Sequence, residues 1–174
     1  HLASIQNTIE KKIAITEQAV NTNFDEIALT ETDVEYLYLS APLSNHDDDD
    51  NRAAISDFYK VCMRELHEKY SIGAMIKIDD IVHNDYESFE YLFAKTDYTV
   101  KLPLIKHEKT LQVIGYHTGQ YENVSGTYDA IFKFIDDNHL KAVDYLYAEP
   151  VLDRISVNDS DKYVTKITIP VVRP

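Results

Sequence analysis

One acidic side chain interrupts a run that otherwise favours a buried strand, and it is the best candidate for chemistry in this sequence. Asp144 lies within the apolar stretch Ala142–Ala148. A carboxylate there is costly unless it pairs with a charge or accepts hydrogen bonds. Beside aromatic rings it would attract a lipophilic cation by charge and cation–π contact. Strand alternation would place Leu146 on the same face and Tyr145 on the opposite one. The alternative is a structural carboxylate bound by tyrosine hydroxyls.

Aromatic side chains on predicted strands form the second set of candidates. The chain has 13 tyrosines and no tryptophan, so its aromatic surface is amphipathic. Tyr36 with Tyr38, and Tyr91 with Phe93, are same-face pairs that could wall a ligand cleft. For each of these residues the alternative role is core packing. The predicted ligand-binding residues are Asp144, Leu146, Tyr36, Tyr38, Tyr91, Phe93 and Tyr116.

Motifs of common enzymes and metal sites are absent from the sequence. It has no Gly-x-Ser-x-Gly, His-Glu-x-x-His or Cys-x-x-Cys pattern. With only 4 glycines it also has no Gly-rich phosphate loop. His46 beside the acidic run 47–50 could hold a metal loosely, but a solvated loop is the simpler interpretation. We therefore expect no enzyme, no catalytic residue, no metal and no cofactor.

Charge and composition limit the partners of the chain. Its 174 residues are 44% apolar and carry a formal net charge of −13. Such a surface repels phosphate backbones, so we expect no direct binding of nucleic acid. The same acidity would favour a cationic ligand. The alternative is that it only keeps the domain soluble. No apolar run approaches the roughly 20 residues of a membrane-spanning helix, no signal peptide is evident, and the lone Cys62 excludes an internal disulfide. These features predict a cytoplasmic domain with no membrane partner.

The order of predicted elements is duplicated, with the pattern β-α-β-β occurring twice. Two such units can share one antiparallel sheet with both helices on one face. The predicted fold class is therefore α+β, with a cleft at the seam between the two units. The predicted strand, helix and two strands of each unit are, in order, Val34–Leu39, Asn51–Tyr70, Ile72–Ile81 and Ser88–Lys95, then Leu111–His117, Glu122–Asn138, Val143–Ala148 and Tyr163–Val171.

The sequence predicts two parts: a helix at residues 1–28 and a separate domain at residues 29–174. Leu2, Ile5 and Ile9 recur at a spacing typical of helix pairing. A single apolar stripe this short cannot bury itself alone, so we expect a partner helix. The alternative is a helix docked on its own domain.

Three segments of the second half resemble the GyrI-like small-molecule-binding domain. They are residues 115–123, 143–150 and 165–171. In that family a strand ends in a Gly-x-Tyr turn, an acid lies on the strand after the helix, an acid–Pro pair follows, and the last strand ends in Ile-Pro. The matching residues are Gly119, Tyr121, Asp144, Glu149, Pro150, Ile169 and Pro170. The resemblance runs from Asp33 to the C-terminus and implies the two-unit fold, with Asp144 as the ligand-facing acid.

The N-terminal helix resembles the linker helix of MerR-type regulators. In that family this helix pairs across a homodimer and joins a DNA-binding domain to an effector-binding domain. The implied function is sensing of a lipophilic, aromatic and cationic small molecule in the cleft between the units, as in multidrug-sensing members. DNA would be bound only by a preceding domain. Two alternatives are a stand-alone GyrI-like protein that protects gyrase, and a small-molecule hydrolase that uses Asp144.

Overall fold

The computed structural model describes residues 21–43, 48–66, 71–153 and 157–174, together with Ile13 and Glu17. Ile13, Glu17 and Asn21 are helical. Residues 1–12, 14–16 and 18–20 of the predicted linker helix, and His46, lie outside the described residues. Pairing through residues 1–28 therefore stays a prediction. Among the described residues, no helix combines the length and apolarity needed to cross a membrane.

The described residues form strands, α-helices and short helical turns, and Ile78–Val82, whose first four residues were predicted to end a strand, is an α-helix. A π-helical turn, Cys62–Leu66, extends the first α-helix, and 3-10 turns form at Tyr121–Asn123 and Ser160–Lys162. The strands and α-helices are β1 (Ala28–Glu31), β2 (Glu35–Leu39), α1 (Asp48–Val61), β3 (Ile72–Lys77), α2 (Ile78–Val82), β4 (Phe89–Thr96), β5 (Leu104–His107), β6 (Leu111–Thr118), α3 (Ser125–Asp137), β7 (Lys141–Ala142), β8 (Tyr145–Leu152) and β9 (Val164–Val172).

One antiparallel sheet contains both predicted units and confirms the fold class. Its strand order is β1-β6-β9-β8-β3-β4-β2-β5, and β7 pairs with β9. The units are β2-α1-β3-β4 and β6-α3-β8-β9, and they join where Met75 of β3 lies opposite Tyr147 of β8. Gly119, at φ +113, ends β6 as the predicted Gly-x-Tyr turn requires. The edge strands β1 and β5 were not predicted.

Both long helices pack on the same face of the sheet. Phe58 and Cys62 of the first helix share a core cluster with Ile72 of β3. Ile131 of α3 shares the main core cluster with Ile76 of the same strand. Because Ile72 and Ile76 are four residues apart on one strand, they point to one face. The two-layer arrangement is therefore as predicted, and the opposite face of the sheet carries no helix among the described residues.

This helix-free face, called here the open face, is strongly curved. The rings of His107 on β5 and Tyr147 on β8 are 5.5 Å apart between centroids. Strands β2, β4 and β3 separate β5 from β8 in the sheet order. In a flat sheet four strand spacings would put β5 and β8 about 19 Å apart. The sheet therefore curls towards its open face, and β5 approaches β8 there.

Gly73 permits close packing beside the joint between the two units. A Cβ built on Gly73 would lie 2.4 Å from Cζ of Phe93 and 2.8 Å from the backbone oxygen of Ala148. Gly73 pairs with Phe93 in the β3–β4 register. The Phe93 ring thus occupies the space that a side chain at residue 73 would fill, and it is completely buried.

We expect Gly73→Ala to destabilise the domain by about 1–3 kcal/mol, because the added methyl group clashes with a fixed ring and with backbone. The matched control is Gly126→Ala on α3, where a Cβ meets nothing within 4 Å. That change should be neutral or should stabilise the domain by up to about 1 kcal/mol. Urea denaturation measures both, and equal stability of the two variants would contradict the packing described.

Candidate ligand-binding site

A narrow cleft lies on the open face, where strands β2 and β5 approach strands β6 and β9. The cavity is only about 30 Å³, which is room for one or two water molecules. Both units contribute to its walls. The lining residues are Glu35, Leu37, Lys95, His107, Gln112, Tyr147, Glu149, Lys166, Thr168 and Pro170.

Two carboxylates from different units converge on one ammonium group in this cleft. Lys95 Nζ lies 3.0 Å from Oε2 of Glu149 and 3.1 Å from Oε1 of Glu35. The Glu149 side chain is 13% exposed, and the other two are about one-third exposed. Burial lowers the pKa of Lys95, but the two carboxylates outweigh burial and hold that pKa above its ordinary value. Lys95 is therefore charged, and the cleft binds a cation of its own.

Aromatic rings form the wall next to this ion-pair triad. The Tyr147 ring packs edge-on against Phe93, with centroids 5.5 Å apart. Burial raises the pKa of Tyr147 to about 12, and the charges of Asp144 and Glu35 add to the effect. Because the phenol stays neutral, it can donate a hydrogen bond at physiological pH.

Two further tyrosines continue the aromatic surface along the open face. The Tyr145 hydroxyl donates to Oε2 of Glu90 over 2.9 Å, and its ring contacts Tyr91 with centroids 6.2 Å apart. Burial and this hydrogen bond raise the pKa of Tyr145 to about 12. Glu90 reaches this face because the β3–β4 register shifts between Met75 and Ile76, which adds one residue to β4.

Two buried polar atoms facing the cleft have no hydrogen-bond partner among the described residues. They are Oγ1 of Thr168, whose residue is 7% exposed, and Nδ1 of His107. Buried polar atoms in folded proteins are nearly always paired with protein, water or ligand. Both residues line the same cavity. The cleft therefore offers hydrogen-bonding capacity that the protein does not use itself.

The prediction that Asp144 occupies an apolar notch is wrong. Asp144 is exposed, has φ +60 and precedes β8, while its backbone oxygen accepts a hydrogen bond from the Ile78 N–H over 3.1 Å. The strand begins one residue later, and the alternation that buries Leu146 sends Tyr147 and Glu149 to the open face. The acid that β8 contributes to the cleft is thus Glu149. The acid–Pro pair of the family resemblance already contained it.

Three other predicted ligand-binding residues face the helices. Leu146 is completely buried in the main core, beneath α3. Tyr38 stacks on Phe58, with centroids 5.4 Å apart and planes 4° apart, and so belongs to the α1 layer. Tyr36 shares that face by alternation. These placements contradict the expected cleft wall: Leu146 and Tyr38 pack in the core clusters of the helix layer, and Tyr36 contacts Tyr98.

The remaining three predicted residues lie on the open face. Tyr91 is partly exposed next to Tyr145, and Phe93 supports Tyr147 from within the sheet. Tyr116 packs against Phe24 at 5.2 Å between centroids. Burial raises the pKa of Tyr116 and the charge of Glu149 raises it further, which places its hydroxyl near that carboxylate. Their role in binding a ligand stays a prediction.

No cluster of three or more histidine, cysteine, aspartate or glutamate residues suited to a metal ion occurs in the part of the chain that the structure describes. The triad of Glu35, Lys95 and Glu149 contains a lysine where a metal site would need a third ligand.

Several solved structures share the fold of this chain. The C-terminal domain of EcmrR superposes with a TM-score of 0.59 at 13% identity, over 86% of this chain and 98% of that one. EcmrR in complex with DNA gives 0.60 at 14% identity, over 99% of this chain and 66% of that one. SAV2435 bound to tetraphenylphosphonium gives 0.50 at 14% identity, over 84% and 94%. A hydrolase from Listeria innocua gives 0.60 at 10% identity, over 90% and 97%. At these identities the likeness shows a shared fold.

Sequence comparison finds a related regulator. No protein-family profile matches the chain. The chain is 28% identical to the multidrug-efflux transporter 2 regulator of Bacillus subtilis strain 168 over 172 aligned residues. The alignment covers 98% of this chain and 62% of that protein. Both comparisons agree with the resemblance drawn from the sequence: the chain shares its fold with the C-terminal domain of EcmrR and is similar to a multidrug-efflux transporter regulator. The prediction that it is not an enzyme agrees with this relative.

The pKa of Tyr147 predicts how stability changes in alkali. An unfolded tyrosine ionises near pH 10, so from about pH 10 to 12 the unfolded chain loses its proton before the folded one. Stability should therefore fall as pH rises through this range. Denaturation at several pH values measures the slope, which should be shallower in Tyr147→Phe than in the wild type. The control is Tyr98→Phe, at a site that is 73% exposed. Equal slopes in both variants would contradict a buried Tyr147 hydroxyl.

Proposed function

We propose that the chain is the effector-binding domain of a transcription regulator, and that its effector is a small aromatic cation bound on the open face between Glu35 and Glu149. The observation that carries this proposal is the convergence of two carboxylates, one from each unit, on a single cation beside aromatic rings. A ligand at that point would touch both units at once.

The chemistry of the cleft supports a cationic ligand. Charge-assisted hydrogen bonds are roughly twice as strong as neutral ones, and the faces of tyrosine rings add cation–π attraction. Tyr147 lines the cleft, and Tyr145 and Tyr91 lie further along the same face. SAV2435, which shares the fold, was solved with the organic cation tetraphenylphosphonium. The proposed binding residues are Glu35, Glu149, Tyr147, Tyr145, Tyr91 and Tyr116, with Phe93 as support.

Ligand entry requires the cleft to widen. Its 30 Å³ is far below the roughly 300 Å³ of a typical ligand pocket. Strands β2 and β5 face β6 and β9 across it, so a ligand that separates them changes how the two units are arranged. It can favour the wider arrangement only by the difference between its affinities for the two states. We propose that this change is the regulatory signal.

The rest of the regulator is inferred from the comparisons. The chain spans about three-fifths of the Bacillus relative, 62% of its length. We propose that DNA is bound by another part of the protein, that residues 1–28 pair in a homodimer, and that the regulator works in the cytoplasm. A hydrolase centred on Asp144 is disfavoured because that side chain is exposed. The gyrase-protecting alternative stays an untested prediction.

We expect the domain to bind 2-(2-naphthyl)ethylamine, a protonated aromatic amine, and to discriminate against the neutral alcohol and the carboxylate of the same shape. Glu149→Gln should weaken binding of the amine about tenfold or more, because one of the two charge-assisted hydrogen bonds is lost. Isothermal titration calorimetry at constant ionic strength measures both comparisons.

A matched control removes the same charge elsewhere. Asp129→Asn changes an exposed carboxylate on α3, on the other side of the sheet. It should change the affinity by less than about threefold. The proposal fails if all three related probes bind equally, or if Glu149→Gln binds the amine as well as Asp129→Asn does.

A further inference from the structure

The cation site of the cleft is already filled by the protein. Lys95 Nζ makes hydrogen bonds of 3.0 and 3.1 Å to the two carboxylates that a cationic ligand would need. The cleft also contains Lys166, which lies opposite Glu149 in the β8–β9 register. Two glutamates thus face two lysines. An added cation would gain little charge attraction unless one of these ammonium groups moved away.

We propose that Lys95 is a built-in competitor for the effector, and that the effector carries a protonated amine which takes the place of the Lys95 ammonium. This inference rests on the proposed function, since it concerns the same site. It adds the chemical class of the ligand and a residue that sets the affinity and the selectivity of the cleft.

The geometry selects an amine with N–H groups over a quaternary onium ion. The Lys95 distances are those of charge-assisted N–H···O hydrogen bonds. An onium ion has no N–H, and its substituents hold the charge further from the carboxylates. The unpaired Thr168 Oγ1 and His107 Nδ1 lie in the same cleft and offer further hydrogen bonds. A ligand ammonium can use these groups, whereas an onium ion leaves them unpaired.

Lys95 is able to leave the site at modest cost. Its side chain is about one-third exposed, and its flexible four-carbon stem allows the ammonium group to turn into solvent. An incoming amine replaces one positive charge by another, so Glu35 and Glu149 are never left without a counter-charge. The tethered ammonium nevertheless competes at a high effective concentration. Removing it should therefore increase the affinity for ligand.

The test compares Lys95→Met with Lys133→Met by isothermal titration calorimetry. Methionine keeps much of the apolar stem and removes the charge. Lys133 is the control, because it also pairs with a carboxylate, that of Asp137, at 2.6 Å but lies on α3, on the other side of the sheet. The probes are 2-(2-naphthyl)ethylamine and its N,N,N-trimethylammonium analogue.

We expect Lys95→Met to bind the amine about tenfold or more tightly than the wild type, while Lys133→Met changes the affinity less than about threefold. Lys95→Arg should bind it more weakly than the wild type, because a guanidinium can hold both carboxylates at once. This second variant keeps a charge in the site, so it provides the test if Lys95→Met does not fold. The trimethylammonium analogue should bind more weakly than the amine to wild type and variants alike.

The outcomes separate the two proposals. If the amine binds the wild type in a Glu149-dependent manner but binds Lys95→Met no more tightly, the competitor role of Lys95 is wrong and the proposed function stands. Equal or tighter binding of the trimethylammonium analogue refutes the amine class. If neither cation binds the wild type or Lys95→Met, both the inference and the proposed function fail.

Discussion

The arrangement of the cleft depends on one ammonium group shared by two carboxylates. Glu35 and Glu149 belong to different units and carry like charges, so they would repel one another without a counter-ion between them. Lys95 supplies it at 3.0 and 3.1 Å. Because burial makes isolated charges costly, the triad holds together only as long as a cation occupies its centre. Whichever cation sits there, lysine or ligand, links the two halves of the sheet.

Sheet curvature makes this link possible. Gly73 leaves space for the Phe93 ring, that ring supports Tyr147, and Tyr147 in turn contacts His107 from the far edge strand. These contacts bring β5 towards β8 although three strands separate them in the sheet. A small change at the triad therefore acts between distant strands, as a sensor domain requires. The same contacts explain why the cleft is narrow.

The sequence predicted the layers of the fold well and the faces of its strands poorly. Helix periodicity and the repeated β-α-β-β order were sufficient for a two-layer α+β domain, because buried stripes such as Phe58–Cys62 and Ile131–Ile135 have a clear spacing. Strands β1 and β5 have only 4 residues each, which is too few for an alternating pattern to stand out. They were missed for that reason.

The candidate site shows how a correct pattern can lead to the wrong face. In β2, Tyr36 and Tyr38 alternate with Leu37 and Leu39, so both faces are apolar and the sequence does not tell which one meets α1. In β8, Leu146 does alternate with Tyr145 as predicted, but the side of Leu146 is the core, and Asp144 precedes the strand. Asp144 has a positive φ, and the strand begins only at the next residue. Its carboxylate therefore lies outside the interior. The register shift that brings Glu90 to the open face has no signal in the sequence either.

The most direct test is a crystal structure of the domain with 2-(2-naphthyl)ethylamine bound. The account predicts the amine nitrogen at about 2.7–3.1 Å from both Glu35 and Glu149, its ring against Tyr147, and the Lys95 ammonium turned towards solvent. An amine bound elsewhere on the domain, with the Lys95 contacts to both glutamates unchanged, would contradict it.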